Sequence, residues 1–125
     1  MTYAIKAVSG IDEIGQGPWD AVANPSLGNP DCGIPYDPFL SYSFLSALEE
    51  SGSAAVETGW APYHLALEGE NSEILGCVPM YLKSHSQGEY VFDYNWADAF
   101  ERAGGRYYPK LQISIPFTPA TGRRI

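Results

Sequence analysis

Tyr3, Ile5 and Ala7 alternate with Ala4, Lys6 and Val8 at the start of the chain, and that period of two predicts a strand with one buried face. Ser9 follows as a candidate helix N-cap, its hydroxyl placed to accept from a backbone amide two or three residues on. Ile11, Ile14 and Trp19 supply the apolar stripe of that helix, which Gly15, Gly17 and Pro18 weaken. From Asn24 to Pro38 the chain carries four prolines, two glycines and two asparagines and reads as a loop. Asp37 before Pro38 suits a cap and first turn, and Leu40, Phe44, Leu45 and Leu48 share one helical face up to a stop at Gly52. That stripe reads as core rather than as a cofactor contact.

The period returns to two over Tyr63 to Glu68 and Glu73 to Lys83, with the polar turn GENS between them, which predicts an antiparallel hairpin. Pro79 cannot donate to a sheet ladder, so it should mark a bulge or an edge. Tyr90 to Phe92 reads as a short strand. Asp93 or Asn95 can cap a helix over Trp96 to Ala103 that Gly104 and Gly105 stop. Tyr108 to Phe117 reads as a strand with Leu111, Ile113 and Ile115 buried and Lys110, Gln112 and Ser114 opposite, and Thr118 to Gly122 is turn-like. The order strand, helix, helix, hairpin, short helix, strand predicts an α/β (α+β) fold, a mixed and largely antiparallel sheet with flanking helices.

A length of 125 residues predicts one domain over 1–125. Hydrophobic residues at 45% and aromatics at 14% exclude a disordered chain. No apolar run of about 18 residues and no cationic, apolar leader occurs, so no membrane span and a cytoplasmic location are expected. Cys32 and Cys77 are too few for a disulfide framework, and with only His64 and His85 beside them no metal site is expected. The net charge of −8 is divided: fifteen acidic residues against Lys6 and Lys83 up to Glu101, a balance of −13, then Arg102, Arg106, Lys110, Arg123 and Arg124 with no acid at all. A cationic last segment draws in an anion. The plainer alternative, pairing of those five with the acidic remainder, stays open, and the overall acidity argues against a broad nucleic-acid surface.

Four segments, DPFLSYSFLSALEESGS (37–53), TGWAPYHLALE (58–68), GCVPMYLKSHSQGEY (76–90) and GEYVFDYNWADAFERAGGRYYPKLQISIPFTPATG (88–122), together resemble the FemAB-like branch of the GNAT acyltransferase superfamily, a bacterial group described as peptidoglycan biosynthesis or recognition proteins. The resemblance implies the first half of a GNAT fold and transfer of an acyl or aminoacyl group to an amine. Its donor would be acyl-CoA or aminoacyl-tRNA, its acceptor a small molecule or cell-wall precursor, with nucleic acid a partner only if aminoacyl-tRNA is the donor. The superfamily's pyrophosphate-gripping string, Arg or Gln, two residues, Gly, one residue, Gly or Ala, does not occur here. The expectation is therefore the N-terminal part of such a protein, either a fragment or a degenerate stand-alone form, that binds no cofactor by itself.

Residue type and placement nominate the site. Asp93 and Asp98 could orient or deprotonate an amine acceptor, since a positioned carboxylate can bind the cation and take its proton. Trp96 and Tyr108 could line its pocket, and Lys110 with Arg123 could meet an anionic donor. Against this stand helix capping by Asp93, anchoring by Trp96, aromatic packing by Tyr107 and Tyr108, and a solvent-facing Lys110. His85 and Glu89 are weaker candidates for a base, and no nucleophile motif such as GxSxG occurs. The competing class is a non-catalytic binding or assembly module whose open sheet edge pairs with a second copy as a homo-dimer.

Overall fold

In the computed structural model, residues 3–85 and 94–116 are described. The chain runs β1 (Ala4–Val8), α1 (Gln16–Ala23), α2 (Tyr42–Glu50), β2 (Trp60–Pro62), β3 (His64–Glu68), β4 (Ile74–Val78), β5 (Tyr81–Lys83), α3 (Tyr94–Arg102) and β6 (Lys110–Gln112), with single 3₁₀ turns at Ile11–Glu13, Pro25–Leu27, Pro38–Leu40 and Val56–Thr58. Two three-stranded sheets form, β1-β3-β4 and β2-β5-β6, and each neighbouring pair is antiparallel. The fold is α+β, as the element order predicts, with the strands divided between two sheets.

The division comes from one bent ribbon. Trp60 pairs with Lys83, Pro62 with Tyr81, Leu65 with Val78 and Leu67 with Gly76, a single register held from β2–β5 through to β3–β4. At the bend His64 lies across from Pro79, which has no N–H to give, while Tyr63 N–H still reaches Met80 O at 2.9 Å. The proline therefore marks the passage from one sheet to the other rather than a local bulge. The bulge in the ribbon lies further on, between Leu67 and Glu68.

Two expected helix starts are displaced. Ser9 does not cap; its hydroxyl donates to Glu13 Oε2 at 3.0 Å, and its amide reaches the same oxygen at 2.9 Å. Gly15, at φ 94°, breaks the chain between the first 3₁₀ turn and α1, and Pro18 is tolerated because it sits in the first turn. Asp37 caps the turn Pro38–Leu40 by accepting from Phe39 N–H at 3.0 Å, but Ser41 then starts α2 by accepting from Phe44 N–H at 3.2 Å. The proline-rich loop is closed by Asn24, fully buried, whose side chain donates to Asp37 O at 3.0 Å and accepts from Asp37 N–H at 2.9 Å.

The main core gathers Ile11, Trp19, Leu40, Leu45 and Ile115 beneath the first sheet, and Trp19 donates its indole N–H to Leu40 O at 2.8 Å. A second cluster, Ala54, Trp60 and Tyr81, lies under the second sheet. The expectation of a half-buried first strand is only partly met: Val8 is buried, yet Ile5 is 74% exposed.

Candidate functional site

The second sheet carries its chemistry in rows. Trp60, Lys83 and Lys110 are cross-strand partners, so they project from the same face, and the next row on that face is Pro62, Tyr81 and Gln112. Between them Leu82 pairs with Leu111, and both are exposed on the opposite face. This reverses the expected orientation of the last strand: Lys110 and Gln112 face inward, half-buried, and Leu111 faces outward. The pairing decides it, because Lys110 and Gln112 must share the face that Trp60 and Tyr81 bury. β6 is also shorter than expected, since the chain leaves the ladder after Gln112 and only Ile115 returns to the main core.

Lys83 is fully buried, with Nζ 3.6 Å from the centroid of the Trp60 ring. A desolvated ammonium over an indole face is held by the ring quadrupole, and directly across the ladder stands a second cation, Lys110. Its Nζ lies 5.6 Å from the Tyr107 ring and 5.8 Å from the Tyr108 ring. Lys83 and Lys110 are thus like charges opposite each other in one ladder, an arrangement that taken alone opposes folding. Nothing in the local sequence around Lys83 marks this; the register alone brings it to Lys110.

α3 flanks the same region. Its stop is built by Gly104 at φ 94°, with Gly104 N–H to Glu101 O and Gly105 N–H to Phe100 O, each at 3.0 Å, the paired bonds of a Schellman turn. Phe100 folds over Gly105, where a Cβ would come within 2.4 Å of its ring. Trp96 is exposed, and Asp98, also exposed, pairs with Arg102 one turn along the helix. Asn95 lies inside α3 and so is not its cap. Of the six nominated residues, Tyr108 and Lys110 are brought together, while Trp96 and Asp98 stand on α3. Asp93 and Arg123 lie outside the described residues, as do Glu89 and the expected strand at 90–92. His85 rests against Gly59, leaving no room there for a Cβ.

A buried polar centre that the sequence did not announce joins the two sheets at the bend. Met80 N–H donates to His64 Nδ1 at 3.2 Å, which places the ring proton on Nε2, and Nε2–H donates to Glu49 Oε2 at 2.8 Å. Glu49 Oε1 accepts from Ile11 N–H at 2.9 Å. The imidazole is fully buried, edge-on to Trp19 and to Tyr81. Both ring nitrogens are committed, so His64 positions structure and has no nitrogen left for proton transfer. Tyr81 Oη is buried without a hydrogen-bond partner among the described residues, and burial, followed by the Glu49 charge, pushes its phenol up. On its outer side Glu49 lines a cleft of about 210 Å³ with Ile11, Asp12, Tyr42, Ser46 and Glu50. No three His, Cys, Asp or Glu side chains converge as a metal site among the described residues.

The family model for FemAB-like proteins, described as peptidoglycan biosynthesis/recognition, matches residues 10–125. The chain belongs to the FemAB-like family. The match begins after β1 and takes in β2 to β6 and the three described helices, so the bent ribbon, α3 and the Trp60–Lys83–Lys110 row lie inside the family's own sequence pattern. No curated protein and no solved structure matches this FemAB-like chain. No described helix is long and apolar enough to cross a membrane.

Proposed function

We propose that this FemAB-like chain takes part in transferring an acyl or aminoacyl group to an amine of a peptidoglycan precursor, supplying the acceptor side of the reaction. The family's peptidoglycan role supports the acceptor class, and the grouping of Tyr108 and Lys110 beside α3 is the observation that carries the placement. In such a transfer the amine nitrogen forms a bond to the acyl carbon, and the bond from that carbon to the sulfur of a thioester or the oxygen of an aminoacyl ester breaks. A carboxylate takes the proton from the ammonium, and the leaving sulfur or oxygen takes one in turn. Asp98 and Asp93 are the carboxylates offered for the first step. Trp96 and Tyr108 flank the acceptor, and Lys110 with Arg123 meets an anionic donor.

The test is transfer itself. The protein is incubated with a precursor pentapeptide bearing a free side-chain amine and either labelled acyl-CoA or labelled aminoacyl-tRNA. Label in the peptide with one donor, reduced at least tenfold by Asp98→Asn, is expected; no label with either donor overturns the catalytic reading. A second reading, a non-catalytic assembly module, is favoured by apolar residues exposed on both sheets, Ile5 and Leu67 on the edge strand β1 and its neighbour β3, and Leu82 and Leu111 on β5 and β6. Pentapeptide binding without transfer, together with a sedimentation mass of two chains, would support it.

A further inference from the structure

β1 is an edge strand: it pairs with β3 on one side, and no described strand pairs with its other side. Ala4, Ile5, Lys6 and Ala7 are all exposed, and an edge strand presents a row of backbone N–H and C=O groups that a further strand can pair. The face beside that edge is aliphatic throughout. Cross-strand pairing sets Ile5 and Ala7 beside Leu67 and Leu65, and these beside Gly76 and Val78. An antiparallel face left to water carries polar side chains. This one instead adjoins a groove of about 360 Å³, which Val22 and Leu75 also line and whose lining holds no charged side chain.

Charge selects the kind of strand that completes the edge. Lys6 is the only charged side chain in residues 1–9. It projects from the opposite face, with Ala66 across the ladder, and makes no ion pair among the described residues. A strand laid antiparallel along β1 puts one side chain directly opposite Lys6, where a carboxylate is favoured and a second cation opposed. Glu68 shares that face one step along, opposite Ala4, so the carboxylate belongs at the middle of the added strand and not at its hairpin end. The net charge of −8 does not forbid it, because charges beyond a Debye length of about 8 Å are largely screened. A second copy of this chain cannot supply the acid, since its own edge strand carries Lys6 and no carboxylate.

We propose that β1 is the docking edge for an extended segment of another protein, which adds as a strand, sets aliphatic side chains beside Ile5 and Ala7, and places Asp or Glu opposite Lys6. The proposal goes beyond the transfer reaction and does not depend on it. Its probe is a cyclic β-hairpin peptide, which holds a strand preformed, with the free strand reading Thr-Val-Glu-Val-Thr. A control hairpin has Lys in place of Glu. Titration of the whole protein is followed by amide NMR shifts. Shifts centred on β1 are expected, with the Glu hairpin binding roughly fivefold or more tightly than the Lys hairpin. Lys6→Glu should reverse that order, and Ile5→Thr, which keeps a strand-forming residue at an exposed position, should weaken both.

Equal affinity for the two hairpins, or a preference that Lys6→Glu leaves unchanged, overturns the proposal. Absence of β1 shifts at millimolar hairpin overturns it as well. Sedimentation of the protein alone should give the mass of one chain. A mass of two chains that Ile5→Thr returns to one assigns the edge to a second copy; this inference then falls, while the acyl-transfer reading stands untouched.

Discussion

Single residues in this chain owe their chemistry to the atoms that face them. Glu49 has two carboxylate oxygens, and each is occupied by a donor from a different element, Ile11 N–H and His64 Nε2–H. Sequence could not reveal this, because partners 38 and 15 residues away meet only after the sheets have formed. Cys77 is the clearest titrating case. Burial, reinforced by the Asp20 charge, pushes its thiol up to about 12 from an ordinary value of 9.0. The folded state thus keeps the proton over a range where the unfolded chain releases it, so the contribution to stability is intact below about pH 9 and is lost progressively up to about pH 12. Tyr81 shifts in the same direction and extends the loss to higher pH. Urea midpoints should therefore fall between pH 9 and 11, and Cys77→Ala should flatten that fall. A thiol reagent at pH 8 should label Cys77 more slowly in the folded protein than in the unfolded chain. A midpoint that holds steady to pH 11 would contradict the assignment of burial as the cause.

Whole elements were legible where local pattern and tertiary demand agreed. Phe44, Leu45 and Leu48 of α2, the GENS turn and the double-glycine stop of α3 appear where the local pattern puts them, while Leu40 reaches the core from the 3₁₀ turn before the helix. Where the two disagreed, tertiary pairing won. The alternation in KLQIS is equally good with either face inward, and only the partners Lys83 and Tyr81 fix which one it is. The aliphatic residue Leu111 ends outside and Lys110 inside, so the candidate site was half-read: Tyr108 and Lys110 were nominated, whereas Lys83 and Trp60, which complete their row, were not. The stop of α3 can be tested alone. Gly104 at φ 94° has open space around its α-carbon, so Gly104→Ala costs only the left-handed backbone, about 1 kcal/mol. Gly105→Ala instead drives a methyl into the Phe100 ring, and it should displace that ring and alter the near-ultraviolet circular dichroism, which Gly104→Ala leaves largely unchanged. Identical spectra for the two variants would show that Phe100 does not rest on the turn.

At the scale of the molecule, one hairpin serves two sheets. The register passes through the bend without a slip, although Pro79 removes a ladder hydrogen bond at that point. His64 fills the gap: Met80 N–H, with its usual direction of bonding interrupted, donates to the imidazole, and Glu49 ties that imidazole to α2 and to the turn before α1. The bend is thus clamped by side chains where the backbone ladder is weakest. Sheets joined only by a kinked backbone would open independently, whereas a clamp makes their opening cooperative. In hydrogen exchange, the amides of Tyr63 and Met80 should therefore exchange with the slow set of β3 and β5. Glu49→Gln leaves one acceptor oxygen for two donors, so one buried donor loses its partner at a cost of about 1–3 kcal/mol. In that variant Met80 should exchange faster than the strands on either side, and the β2-β5-β6 sheet should open at lower urea than β1-β3-β4. If both sheets still exchange as one unit in Glu49→Gln, the continuous ribbon couples them unaided and the buried histidine serves only to fill the space beneath the bend.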